Sequence, residues 1–191
     1  TVQKPSVLGG TVKECIVSNL EERETLTQAQ SDHFVCRLIA AYNLKDVMTG
    51  GLDAQVKDLS MRDRRLTYML AAIAASPKVV FFDEPTTDLT EDDANYVLDL
   101  VAKISCQRSV MVVLHNQKQA QRVGDGHVML LAGGKIQEHV NLQEFFLSPL
   151  SEAGKEFVRT GSCAAPSHDT DPEYLDPEFI DKYKPVVSEL P

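Results

Sequence analysis

The feature that most restricts the fold of this sequence is the segment VVFFDEPTTDLT at residues 79–90. Its four apolar residues form a short run of the kind found in a strand buried on both faces of a sheet. Asp83 and Glu84 follow directly, and Pro85 stops the strand. Burying carboxylates is costly unless something compensates them. The segment therefore predicts either a metal–nucleotide site or an acidic turn that favours the N-terminus of the next helix.

Composition and charge narrow the class of protein. The 191 residues are 43% hydrophobic and 25% charged, which is ordinary for a globular protein. The net charge of −9 argues against nucleic-acid binding, and we expect no nucleic-acid partner. The four cysteines have no C-x-x-C spacing, which argues against a zinc site and favours reduced thiols. No apolar run approaches the roughly 18–20 residues that span a bilayer, so a partner would have to hold this chain at a membrane.

The first part of the chain has a helical pattern. Apolar residues recur at helical spacing within 21–48, and a glycine pair at 50–51 interrupts them. A second helix is predicted from Ser60, which forms a possible capping box with Asp63. Its buried face is expected to contain Leu66, Leu70 and Ile73, and Pro77 should end it.

The second part alternates between strands and helices. After the strand at 79–82 we predict a helix over 91–104 capped by Thr90, a strand over 109–115, and a hairpin over 127–140 that turns at Gly133-Gly134. This order predicts an α/β fold with a largely parallel sheet. Residues 148–191 are interpreted as a C-terminal extension that is partly disordered, because the stretch from Gly161 is rich in proline and acids.

Five short motifs, in order, resemble those of the nucleotide-binding subunit of an ATP-binding cassette (ABC) transporter. Gln3 is similar to the Q-loop glutamine, LSMRD (59–63) to the LSGGQ signature, VVFFDEP to the Walker B strand, TTDLT (86–90) to the D-loop, and His115 to the switch histidine. The resemblance covers about residues 1–147. It implies a partial P-loop NTPase-like ABC ATPase core, with a helical subdomain at about 19–75 and an acidic C-terminal tail.

The resemblance also implies cofactors and roles for the matching residues. The cofactors would be ATP and Mg²⁺, with Asp83 and Gln3 binding the metal. Glu84 would act as general base or position the attacking water, and His115 would contact the γ-phosphate. Ser60 would serve the nucleotide bound by a second, paired subunit.

The implied function is that of the ATP-binding subunit of a membrane transporter, which couples ATP binding and hydrolysis to transport. The stretch QKPSVLGGTVKE and the compact size of the chain favour a bacterial importer over an exporter. Its partners would be a transmembrane permease subunit, contacted by the helical subdomain, and a second nucleotide-binding subunit in a homo- or heterodimer. The expected location is cytoplasmic, peripheral on the cytoplasmic face of the inner membrane.

The sequence departs from the family pattern in three places. No G-x-x-x-x-G-K-[ST] occurs in the 191 residues, so the Walker A strand, loop and helix are missing, and we interpret this as a truncation before Gln3. Met61, Arg62 and Asp63 replace the Gly-Gly-Gln of the signature, and Thr90 replaces the D-loop aspartate. Because losing one preorganised donor costs about 10²–10³ in rate, we expect weak or absent hydrolysis and leave the enzyme assignment open.

Two other hypotheses remain. The three losses together favour a non-hydrolytic regulatory or relic fragment that binds a partner through the helical subdomain. An ATPase of the DNA-repair or chromosome class shares the signature and Walker B chemistry. That class inserts a very long coiled coil before the signature, whereas Gln3 and Leu59 are only 56 residues apart here.

Overall fold

The computed structural model describes residues 10–44 and 50–165, together with the backbone of Val186–Val187. Gln3 lies outside the described residues. The chain divides into two compact units, Thr1–Leu114 and His115–Pro191. Among the described residues, no helix has both the length and the apolar character that crossing a membrane requires.

The first unit is mainly helical and contains one parallel strand pair. Its elements are α1 (Val12–Val17), α2 (Gln28–Ala41), a 3₁₀ turn (Val56–Asp58), α3 (Met61–Ala74), β1 (Val79–Asp83), α4 (Glu91–Ser105) and β2 (Ser109–Val113). The second unit contains α5 (Gln117–Arg122), β3 (His127–Ala132), β4 (Lys135–Asn141), α6 (Leu142–Leu147), α7 (Glu152–Thr160) and β5 (Val186–Val187). The predicted α/β fold class is confirmed.

The helical pattern predicted over 21–48 is shorter in the structure. Hydrogen-bonded turns occupy residues 21–25, and α2 begins at Gln28 because Thr27 caps it in a reciprocal capping box with Gln30. Residues 45–49 lie outside the described part of the chain.

A buried lysine connects α1 to its surroundings. Lys13 Nζ lies 2.7 Å from Asp32 Oδ1 on α2 and 3.1 Å from Asp53 Oδ1, which lies in the loop that precedes the 3₁₀ turn. Hydrogen bonds to these two carboxylates raise the pKa of Lys13 above its ordinary value. The three charges therefore tie α1, α2 and the loop together.

Helix α3 follows the prediction closely. The Ser60 hydroxyl oxygen accepts a hydrogen bond from the Asp63 N–H at 3.1 Å, which caps the helix. Leu66, Leu70 and Ile73 are buried as expected. The helix ends at Ala74, before Pro77.

Strands β1 and β2 form a parallel pair, but the prediction that β1 is buried on both faces is wrong for the described structure. Val80 and Phe82 are buried, whereas Val79 is 51% exposed and Phe81 is 47% exposed. Helix α3 packs against β1 and α4 against β2, and the buried side chains of β1 all lie on one face. The apolar run thus contributes one face to the core and leaves the other open among the described residues.

The second unit is built on the predicted hairpin. Strands β3 and β4 pair antiparallel and turn at Gly133 (φ 58°) and Gly134 (φ 72°). Two successive residues in the left-handed region give the turn type that matches the twist of a two-residue hairpin. The predicted turn is confirmed, and β5 adds to β4 in parallel.

Helix α7 is anchored to the hairpin by a buried carboxylate. Glu138 on β4 is fully buried and accepts hydrogen bonds from the Leu150 N–H (2.8 Å), the Ser151 N–H (2.9 Å) and the Ser151 hydroxyl (2.6 Å). Ser151 is also the N-cap of α7. Three donors and the positive end of the helix therefore compensate the buried charge.

Residues 148–165 lie in the interval that the sequence assigned to a C-terminal extension. Phe157 and Val158 of α7 pack with the following Cys163 and Ala165 against a buried cluster that includes Phe145. Burial raises the pKa of the Cys163 thiol. The boundary at residue 147 stays a prediction, and residues 166–185 and 188–191 lie outside the described part of the chain.

Gly154 should be required for the approach of α7 to β4. A Cβ at this position would overlap Glu138 Oε2 and would lie 3.0 Å from Ser151 Oγ. We expect Gly154→Ala to lower the free energy of unfolding by about 1–3 kcal/mol, as overpacking does in tight sites. Gly126→Ala is the matched control, because its Cβ would meet no atom within 4 Å. Urea unfolding followed by circular dichroism measures both, and equal midpoints would contradict the packing argument.

Candidate functional site

The two acids of the Walker B-like segment lie at the carboxyl end of the parallel pair. Asp83, the last residue of β1, is the register partner of Val113, the last residue of β2. In open α/β sheets, ligands bind at this edge. Asp83 is exposed on the same face of the strand as Phe81, so its carboxylate faces the open side rather than the core. Because the Asp83 carboxylate is exposed among the described residues, it does not bear the cost of desolvation that burial beside an apolar strand would bring.

Glu84 is held in an unusual backbone conformation. Its φ of 45° lies in the left-handed region, which side-chain-bearing residues rarely adopt. Its N–H donates to the Val113 carbonyl oxygen at 3.2 Å, and its own carbonyl oxygen accepts from the Thr87 N–H at 3.3 Å. The Thr87 hydroxyl donates to Glu84 Oε2 at 3.0 Å. The tight turn therefore fixes both the backbone and the carboxylate of Glu84.

The donor set at this edge fits a magnesium ion that arrives with a nucleotide. Mg²⁺ prefers oxygen ligands and commonly takes one or two carboxylates together with waters and substrate phosphates. Asp83 offers one exposed carboxylate. Within the described ranges 10–44 and 50–165, there is no group of three or more His, Cys, Asp or Glu side chains that could hold a metal. In the described part of the chain, the edge thus lacks the ligands for a metal site that is complete without phosphate.

The other predicted site residues are distributed between the two units. His115 is exposed and is the first residue of the second unit. The strand predicted over 109–115 ends at Val113, because Asn116 caps the short helix α5 and the chain has already left the sheet. Gln3 is outside the described residues, so its contribution and that of His115 stay predictions.

Ser60 lies exposed at the start of α3, next to a charged cluster that the sequence did not reveal. Arg62 Nε lies 3.0 Å from Asp63 Oδ1, and its Nη1 lies 3.3 Å from Asp93 Oδ1 on α4. The guanidinium carbon also lies 5.5 Å from the centre of the Tyr96 ring, within the range of a cation–π contact. Arg62 is therefore engaged with α4 through an ion pair with Asp93 and a cation–π contact with Tyr96.

This cluster changes the chemistry of the helix start. The carboxylate of Asp63 is buried beside the first turn, where a helix would otherwise favour an anion. Met61 and Arg62 carry side chains where glycine would let the backbone approach a phosphate closely. The described start of α3 is consequently less suited to a phosphate than the signature that it resembles.

Two contacts of Thr87, one with Glu84 and one with Arg65, were not predicted from the sequence, although Thr87 lies inside the D-loop-like segment. Arg65 Nη2 on α3 donates to the Thr87 carbonyl oxygen at 3.4 Å. The Glu-Pro-Thr-Thr order could have indicated the turn, since proline favours its second position. No sequence spacing indicated that α3 reaches this turn.

Curated proteins with similar sequences are ATP-binding subunits. The chain is 28% identical over 156 residues to the phosphate import ATP-binding protein PstB 3 of Natronomonas pharaonis, covering 82% of this chain and 56% of that protein. It is 26% identical to PstB 1 of Vibrio parahaemolyticus, covering 82% and 57%, and 27% identical to PstB of Mycoplasmoides gallisepticum, covering 82% and 48%. The chain is a homologue of ABC ATP-binding subunits. It spans about half the length of these relatives, and no family model matches it.

The comparison with solved structures agrees with this assignment at the level of the fold. An ABC transporter in an inward-facing conformation matches with a TM-score of 0.59 and 17% sequence identity, over 78% of this chain and 57% of that chain. The resemblance inferred from the five motifs and the α/β fold are therefore confirmed. The roles of the individual site residues are not tested by these matches.

The Arg62–Asp93 pair should show measurable coupling. Both side chains are partly buried, at 25% and 32% exposure, so we expect a coupling free energy of about 0.5–1 kcal/mol. A double-mutant cycle with Arg62→Met and Asp93→Asn, measured by urea unfolding, determines this value. Repeating the cycle with the exposed neighbour Asp92→Asn in place of Asp93→Asn provides the control. Equal coupling for both aspartates would contradict the observed pairing.

Proposed function

We propose that this chain supplies part of the ATP-binding subunit of an ABC importer, with ATP and Mg²⁺ bound at the carboxyl edge of β1 and β2. The observation that carries the proposal is the pairing of Asp83 with Val113, which brings Asp83 and Glu84 to that edge in a chain homologous to ATP-binding subunits. Strands ending in acids occur in many folds, so the homology and the geometry support the proposal jointly.

In the proposed site, each acid has its own task. Asp83 binds the metal through its exposed carboxylate, and Glu84 orients the attacking water or accepts its proton. The magnesium ion supplies positive charge that offsets the charge of the β- and γ-phosphates. From the resemblance to the family's motifs, we assign nucleotide contacts to His115 and Gln3, and a role as a second metal ligand to Gln3. Ser60 serves the nucleotide of a paired subunit, which is either a second copy or a related chain.

We also propose that turnover by this chain is low. The start of α3 carries Met61, the engaged Arg62 and Asp63 in place of two glycines and a neutral glutamine. A phosphate approaching Ser60 would meet side chains and a nearby carboxylate instead of two exposed N–H groups. This observation also favours the second candidate function, in which a non-hydrolytic regulatory chain binds a partner through the helical subdomain.

The proposed partners are a transmembrane permease subunit and a second nucleotide-binding subunit. In the helical region, α2 and the residues Gly51 and Leu52 line an open cavity of about 550 Å³ that a segment of a permease could enter. Binding to a permease would hold the chain on the cytoplasmic face of a membrane. The relatives are named for phosphate import, so phosphate is the first cargo to test.

Nucleotide binding by the intact gene product tests the proposed function. We expect MgATP to bind, and Asp83→Asn to weaken the magnesium-dependent affinity about tenfold or more, which corresponds to about 1.4 kcal/mol or more. Glu84→Gln should retain binding and lose whatever hydrolysis the wild type shows, because it removes only the base. Isothermal titration calorimetry and phosphate release measure the two properties.

Asp92→Asn is the control for the loss of a carboxylate, since Asp92 is exposed in the first turn of α4. Magnesium alone should bind weakly to all of these proteins because the edge offers a single exposed carboxylate. Absence of MgATP binding, or equal affinity in Asp83→Asn and wild type, would contradict the proposal. Binding without hydrolysis in the wild type would favour the second candidate.

A further inference from the structure

We propose that Thr87 is a positioning residue for Glu84, acting through its hydroxyl group. The catalytic role of Thr87 rests on the proposed function, whereas its hydrogen bond to Glu84 is observed in the turn. Thr87 donates its hydroxyl hydrogen to Glu84 Oε2 at 3.0 Å.

The turn around Glu84 explains why a second anchor is needed. The Thr87 N–H donates to the Glu84 carbonyl oxygen, which closes a four-residue turn with Pro85 at its second position. Glu84 enters this turn at φ 45°, a conformation that residues with a side chain rarely adopt. The backbone is therefore set by the turn and by the Val113 carbonyl oxygen. The carboxylate at the end of a flexible side chain needs its own contact to take one orientation.

Thr87 is itself connected to α3. Its carbonyl oxygen accepts a hydrogen bond from Arg65 Nη2 at 3.4 Å, and Arg65 lies one turn after the start of the helix. The preceding Arg64 is anchored to the carbonyl oxygens of Val56 and Lys57 at 3.2 and 2.6 Å. The turn that carries Glu84 is thus hydrogen-bonded to α3, the helix that Ser60 caps.

The exposure of Thr87 separates positioning from stability. Thr87 is exposed, so water can replace its hydroxyl contact at little cost in the free energy of unfolding. A small displacement of a catalytic group, in contrast, changes the rate strongly. Replacing Thr87 by valine keeps the shape of the side chain and removes only the donor. Serine restores the donor on a smaller side chain.

The test compares Thr87→Val and Thr87→Ser with wild type in the intact gene product. We expect Thr87→Val to lower kcat for ATP hydrolysis about 10- to 100-fold with KM changed less than about twofold. Thr87→Ser should stay within about threefold of wild type. The urea midpoints of all proteins should agree. The control is Thr160→Val, which removes a hydroxyl that donates within the last turn of α7.

If the wild type shows no hydrolysis, an NMR measurement tests the hydrogen bond between Thr87 and Glu84 instead. With glutamate labelled at the carboxyl carbon, the Glu84 resonance, assigned through Glu84→Gln, should shift in Thr87→Val and stay at the wild-type position in Thr87→Ser. An unchanged kcat, or an unchanged resonance, in Thr87→Val would overturn the inference. Equal losses in Thr87→Val and Thr87→Ser would also overturn it, because they would point to the backbone of Thr87. Failure of the proposed function appears separately, as absence of MgATP binding in the wild type.

Discussion

The parallel pairing of β1 with β2 is the constraint on which the rest of the candidate site depends. It sets Asp83 opposite Val113, and the Val113 carbonyl oxygen then accepts the hydrogen bond that directs the chain into the turn at Glu84. Helices α3 and α4 pack against this pair and supply its core. A shift of one residue in this register would move Asp83 to the other face of the strand, because side chains alternate along a strand.

The parts that the sequence predicted well are those determined by local chemistry. Ser60 accepts a bond from an N–H three residues away, and the apolar spacing of Leu66, Leu70 and Ile73 directs them to one face. The paired glycines of the hairpin have the positive φ angles that such a turn requires. In each case the interacting groups are near neighbours in the chain, so their residue types carry the information.

The parts that the sequence missed depend on contacts between distant segments. Arg62 and Asp93 are 31 positions apart, and nothing in LSMRD indicates that α4 supplies a partner. Arg65 reaches Thr87 across 22 positions. The apolar run 79–82 predicted burial on two faces, but composition does not reveal how many layers cover a strand. The exposed Val79 and Phe81 show that only one face is covered among the described residues.

The central claim is that a metal–nucleotide complex binds where β1 and β2 end. Paramagnetic broadening of amide resonances by Mn²⁺-ATP tests it directly, since manganese shares the preference of magnesium for oxygen ligands. The account predicts that the amides of Asp83 and Glu84 broaden first and that Asp83→Asn reduces this effect at the same concentration of Mn²⁺-ATP. The acidic first turn of α4, at Glu91–Asp93, is the competing location. Broadening confined to that turn, or no broadening, would contradict the account.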